Sequence, residues 1–190
     1  MTVCSEDVDA AVAEMITVLA SHTEADWDVR AGALGWSCWS TAAHVAHDLL
    51  AYAGQVVARA ADGYLPFDLA IARDAAPQQV LSVVEACGKL LSQAVAAAPD
   101  GPVAWHWGMS DAEGFAAMGI AEVLVHTHDI AQGLGVAWRP PDRLAQLAIA
   151  RLIPQPPSGE GSAVLLWATG RCDLDGEERV TDWIWRVAQA

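Results

Sequence analysis

The chain has 190 residues, enough for one domain with a proper core, and 54% are apolar against 18% charged, which excludes a disordered chain. Its formal net charge is −14 with only ten Lys and Arg residues, so no basic stripe is available for a phosphate backbone or an anionic membrane. Neither nucleic acid nor membrane is therefore expected as a partner.

No segment reaches the ~18 uncharged apolar residues that cross a bilayer. The start, MTVCSEDVDAAVAEM, is acidic and lacks the basic opening of a signal peptide. Cys4, Cys38, Cys87 and Cys172 are scattered, with no C-x-x-C pair, which fits reduced thiols in a cytoplasmic protein.

A first helix is expected from Ser5 to about Ser21, with acids in its first turn and Val8, Ala11, Val12, Met15, Ile16 and Leu19 at helical spacing. Residues 22–40, with Gly32, Gly35 and three tryptophans, read as an ordered loop. A second helix should begin at Ser40 or Thr41 and run to Ala61, carrying His44, His47, Leu50 and Ala51 along one side. A third follows Pro77 and continues to about Ala98, where Pro99, Gly101 and Pro102 stop it. Residues 103–108 form a short link of alternating character.

Ser110 with Glu113 makes a capping-box pattern for a fourth helix, which should reach Gly133. A fifth opens at Pro140 and Pro141 and ends before Pro154. Beyond a Pro, Gly and Ser-rich loop, residues 163–171 are a short apolar run, and Asp175–Gly176 is a hairpin signal. The expected organisation is a mainly α helical bundle over 1–153 with a short irregular or β-hairpin extension over 154–190 packed upon it. The nine tryptophans, against two Tyr and two Phe, are expected as core anchors or pocket walls.

Glu122 and His126 stand at i and i+4 on the fourth helix, one above the other, so a carboxylate and an imidazole can reach one ion. The flanking sequence IAEVLVHTHDI is mostly apolar, and a buried Glu needs a partner in a chain with few cations. On the second helix His44 and His47 are three apart and share a face. Antiparallel packing of the two helices would bring one of these histidines to the Glu–His pair. Two nitrogens and one oxygen suit zinc with a position left open, while nickel and ferrous iron remain compatible by donor type.

Two stretches carry a resemblance. WSTAAHVAHDLLAY, residues 39–52, resembles the Trp-to-His opening of mycothiol-dependent maleylpyruvate isomerase N-terminal domains, which belong to the DinB-like bundles. EVLVHTHDIAQGLG, residues 122–135, resembles a second segment of that family, with Glu122, His126, Asp129 and Gly135 in register. Trp39 stands eight residues before His47, and on that match the resemblance implies His47 as the third ligand beside Glu122 and His126. It also implies an up-and-down four-helix bundle, a bound zinc ion, and mycothiol or a similar thiol as cosubstrate acting on a small electrophile. Two features depart from the family: His128 stands where an aromatic is usual, and the chain is too short for the isomerase's larger C-terminal domain. Transfer of the thiol is therefore favoured over isomerisation.

The other candidate residues follow from their surroundings. Asp129, one turn beyond His126, is placed to fix a ligand's tautomer. His128 adds a proton-transferring group. Arg151 and Arg171 are candidates to hold a carboxylate of substrate or cofactor, and His44 is a candidate pocket residue. His106, between Trp105 and Trp107, is a candidate pocket wall. Two rival readings use the same bundle: a metal-dependent hydrolase or tailoring enzyme that activates water, and a non-catalytic small-molecule-binding protein whose metal site is closed by His44.

Overall fold

The computed structural model describes residues 2–183. It is mainly helical, with α1 (Ser5–Leu19), α2 (Cys38–Ala58), α3 (Pro77–Ala96), α4 (Ala112–Gly133), α5 (Asp142–Leu152) and α6 (Gly161–Ala168). One antiparallel pair of strands, β1 (Pro102–Trp105) and β2 (Met109–Asp111), lies between α3 and α4. Among the described residues, no helix is long and apolar enough to cross a membrane.

The helix starts are set by local capping. Ser37 caps α2, its hydroxyl accepting from the Ser40 N–H at 3.2 Å, so the helix opens at Cys38 rather than at Ser40 or Thr41. Asp111, not Ser110, caps α4, with its carboxylate accepting from the Gly114 N–H at 2.8 Å. Glu113 does not close a capping box with Ser110; it accepts from the Val3 N–H at 2.9 Å and ties the N-terminal segment to α4.

The hairpin falls where a link was expected, at residues 102–111, and not at Asp175–Gly176, which lies in irregular chain. The apolar run expected at 163–171 forms most of α6. The last part of the expected C-terminal extension, residues 184–190, lies outside the described residues.

α1 packs beside α3 and α4, and α2 also packs beside α3 and α4; α5 covers α4, and α6 rests on α5. α4 is buried on every side from Gly114 to Ala131, as an all-round apolar helix must be. It runs antiparallel to α2. His44 meets His126 with ring centroids 5.1 Å apart, Tyr52 meets Phe115 at 6.1 Å, and Leu49 lies against Gly119 between them.

Glycine permits this closeness: a Cβ on Gly119 would come within 2.5 Å of Leu91 Cδ2 and 3.3 Å of Leu49 Cδ2. The core is mostly aliphatic, with Phe115, Tyr52 and Trp27 as its aromatic members. Among the described tryptophans only Trp27 is buried. Several others sit where an indole N–H finds an acceptor at the edge, as Trp39 does on the Ala75 carbonyl at 2.8 Å and Trp138 on Glu14 at 2.9 Å.

Candidate metal centre

Where the N-terminal half of α2 crosses the C-terminal half of α4, His44, Glu122 and His126 present donor atoms that all lie within 4.8 Å of one another. Nε2 of His126 is 3.2 Å from Oε2 of Glu122, and Nε2 of His44 is 3.9 Å from the same oxygen. Glu122 and His126 are buried, and His44 is partly so. Trp36, in the loop before α2, packs edge-on against the His44 ring at 4.8 Å and covers the site from outside.

One of the two imidazoles, His126, is held from behind its donor nitrogen. Nδ1 of His126 lies 3.0 Å from Oδ2 of Asp129, one turn on, which leaves Nε2 facing Glu122. Arg171 grips the same carboxylate with two bonds, Nη2 to Oδ2 at 2.8 Å and Nε to Oδ1 at 3.3 Å. Asp48 Oδ2 stands 3.4 Å from Nε2 of His44.

The electrostatics follow from these contacts. Burial opposes the His126 imidazolium, but the hydrogen bonds to Asp129 and Glu122 outweigh it and pull the ring up to about 9. Burial together with the nearby His126 lowers His44 to about 4, so its lone pair is available at neutral pH. Burial also works to raise Asp129, but His126 and Arg171 hold it below the ordinary carboxylate value. Burial and Glu122 raise Asp48. Two imidazoles and a carboxylate, on two packed helices and converging within one ion's reach, fit a divalent metal of the zinc type.

The structure brings His44, not His47, to Glu122 and His126. His47 lies one step further round α2, where Nδ1 is 3.0 Å from Asp68 and accepts from the Leu69 N–H at 3.2 Å. The sequence holds a signal for this register. Trp36 stands eight residues before His44, just as Trp39 does before His47, and the Ser37 cap decides which pair faces α4.

His128, two residues past His126, turns to the other side of α4 and lies 2.9 Å from the Gln132 amide nitrogen. Arg151 pairs with Asp111 at 2.9 Å at the start of α4, about 16 Å along the helix from Glu122. Arg171 does reach the site, through Asp129.

A cavity of about 370 Å³ adjoins the centre and is bordered by His47 and Asp48. A larger open groove of about 730 Å³ is walled by Trp27, Trp39 and Arg73; none of the three ligand candidates lines either space, and the smaller cavity reaches the centre through Asp48, 3.4 Å from His44.

A helical protein with a His–Glu–His cluster shared between two packed helices is the class that fold and site define. The chain belongs to the mycothiol maleylpyruvate isomerase N-terminal domain family, whose model matches residues 8–131 and so spans α1 to α4 and all three ligand candidates. No curated protein and no solved structure matches it.

Proposed function

We propose that this chain is a DinB-like, up-and-down four-helix bundle that holds one divalent metal ion, zinc by donor type, through His44, Glu122 and His126. With it the protein activates a low-molecular-weight thiol of the mycothiol kind for reaction with a small electrophile. The observation that carries the reading is the convergence of those three donors within 4.8 Å. Membership of a mycothiol-associated family supports the choice of thiol over water as the nucleophile.

A divalent ion held there supplies a Lewis-acid centre that favours the thiolate at neutral pH, where a free thiol of pKa near ~8.5 is only a few per cent ionised. The chain's own residues orient the donors. Asp129 accepts from Nδ1 of His126 and so keeps Nε2 turned to the ion site, and Arg171 keeps Asp129 in that position. Trp36 packs edge-on against the His44 ring and limits its movement. The adjoining cavity offers room for the electrophile within one helical turn of His44. Transfer, in which the thiol stays on the substrate carbon, is the favoured outcome over isomerisation. Cytoplasmic location is part of the same proposal, since mycothiol chemistry requires a reduced thiol.

The test is to incubate metal-loaded protein with mycothiol and a panel of small electrophiles, and to follow S-conjugates by mass spectrometry. Conjugates that require the metal and vanish in Glu122→Ala are expected. Substrate turnover that proceeds equally well without thiol would replace this reading with metal-dependent hydrolysis.

A further inference from the structure

The face of α2 that carries His44 continues down the helix. Asp48, Ala51, Tyr52 and Gln55 follow at steps of three and four residues, and together they form one wall of the 370 Å³ cavity. Tyr64 and Phe67, from the segment after α2, form another wall, and His106, from the turn between β1 and β2, closes the end.

The lining has an unusual balance. Among the described residues, no Lys or Arg borders this cavity; its one carboxyl, that of Asp48, is turned to within 3.4 Å of His44, and the His47 imidazole stands beside it. Tyr52 is buried and presents its ring edge-on to His106 at 5.9 Å. Gln55 is fully engaged: its amide donates to the Gly63 and Trp105 carbonyls, and its oxygen accepts from the Leu65 N–H.

His106 is one of the polar groups that the lining leaves over, with the Tyr52 hydroxyl beside it. It is buried, and Nδ1 lies 2.8 Å from the Tyr64 hydroxyl, its hydrogen-bond partner among the described residues. Nε2 has no such partner, yet it is not sealed among buried unsatisfied atoms, so it is open in a residue that borders the cavity. A tight turn presents the ring: the His106 N–H donates to the Gly108 carbonyl at 2.7 Å, and Trp107 takes a positive φ of 53° to complete it. Burial lowers His106 to about 4, so the ring is neutral at physiological pH and offers a hydrogen bond without a charge.

We infer that this cavity is the electrophile's pocket, that it accepts an uncharged and largely apolar molecule rather than a carboxylate, and that His106, held by Tyr64, hydrogen-bonds the molecule's polar group. An anion entering it would lose its hydration with no Lys or Arg among the described lining residues to pair with it, and would lie beside the Asp48 carboxyl. A flat apolar body finds Tyr52, Phe67 and Ala51, and a carbonyl or amide finds the open imidazole nitrogen. The inference rests on the proposed function only in assigning the pocket to the same reaction.

The experiment is isothermal titration of the full chain with two probes of matched shape, 2-naphthamide and 2-naphthalenesulfonate, before and after treatment with a chelator. The amide should bind at least tenfold more tightly than the sulfonate in both states. His106→Phe and Tyr64→Phe should each weaken the amide about three- to tenfold, the range of one neutral hydrogen bond, with metal content unchanged. Tyr64→Phe removes only the hydroxyl of a half-exposed residue, so it serves as the variant that keeps its fold. Equal or tighter binding of the sulfonate, no measurable binding of the amide, or an amide affinity untouched by both substitutions would overturn the inference. Metal content and thiol conjugation are read separately in the same preparations. Their failure with probe selectivity intact would remove the proposed function alone.

Discussion

Arg171 reaches from the segment after α6 to Asp129 on α4, placing Nη2 2.8 Å from the carboxylate oxygen that also lies 3.0 Å from Nδ1 of His126. The C-terminal part of the chain is thereby coupled to the ligand geometry, although the family match ends at residue 131. Asp129→Ala removes the group that fixes the His126 tautomer and should lower metal affinity about 10- to 100-fold. Arg171→Ala should lower it less, since Asp129 keeps its bond to His126. Competition with a chromogenic chelator measures both, and equal affinity for wild type and Asp129→Ala would refute the coupling.

Gly133 closes α4 against the loop that carries Trp36. A Cβ there would overlap the Arg30 carbonyl oxygen and come within 3.2 Å of Ala31 Cα, and backbone atoms have no rotamer to escape by. Gly133→Ala should destabilise the fold by about 1–3 kcal/mol despite the better helix propensity of alanine. Chemical denaturation reads this directly, and a stabilised variant would show that the loop does not pack on α4 as described.

Asp7 supplies the pH-dependent prediction. It is buried near the start of α1, accepting from the Cys4 N–H at 3.0 Å and from Nη2 of Arg143 on α5 at 2.7 Å. Burial alone would raise it, but Cys4 and Arg143 together hold it below its ordinary value of 3.8. Its stabilising contribution is thus present above pH 3.8 and lost as pH falls through the lower folded value. Asp7→Asn should cost about 1–3 kcal/mol at pH 7. The gap in melting temperature between wild type and variant should close below pH 3.8. A gap that widens in acid would contradict the assignment.

Much of the fold was legible because long helices announce themselves by period and punctuation. α1, α3 and α5 begin and end near their Ser, Pro and Gly signals. The β1–β2 hairpin was not legible, because its turn is made by Trp107 and Gly108 at positive φ and no Asn–Gly or Asp–Gly marks it. Asp175–Gly176 carries that mark, yet the charged residues around it give a strand nothing to bury. The mostly aliphatic core escaped a reading that counted indoles, because indoles such as Trp39 and Trp138 sit at its edge, where the N–H finds an acceptor.

At the site, the Glu122–His126 pair was legible from i,i+4 spacing in an apolar helix. Its partner was not fixed by spacing, since Trp36–His44 and Trp39–His47 repeat the same interval. What separates them is helical phase. Ser37 starts α2 at Cys38, and the antiparallel contact of Tyr52 with Phe115 then turns His44 toward His126 and leaves His47 beside Asp68. Phase across two helices is a tertiary property, and no window of one helix contains it.

Metal content of the purified protein tests the central claim most directly, measured for wild type and for His44→Ala, His47→Ala, Glu122→Ala and His126→Ala. The account predicts about one equivalent of a zinc-like ion in wild type, retained in His47→Ala and lost in the other three. Retention in His44→Ala with loss in His47→Ala would contradict the ligand set, and a folded wild type that takes up no divalent ion would contradict the metal centre itself.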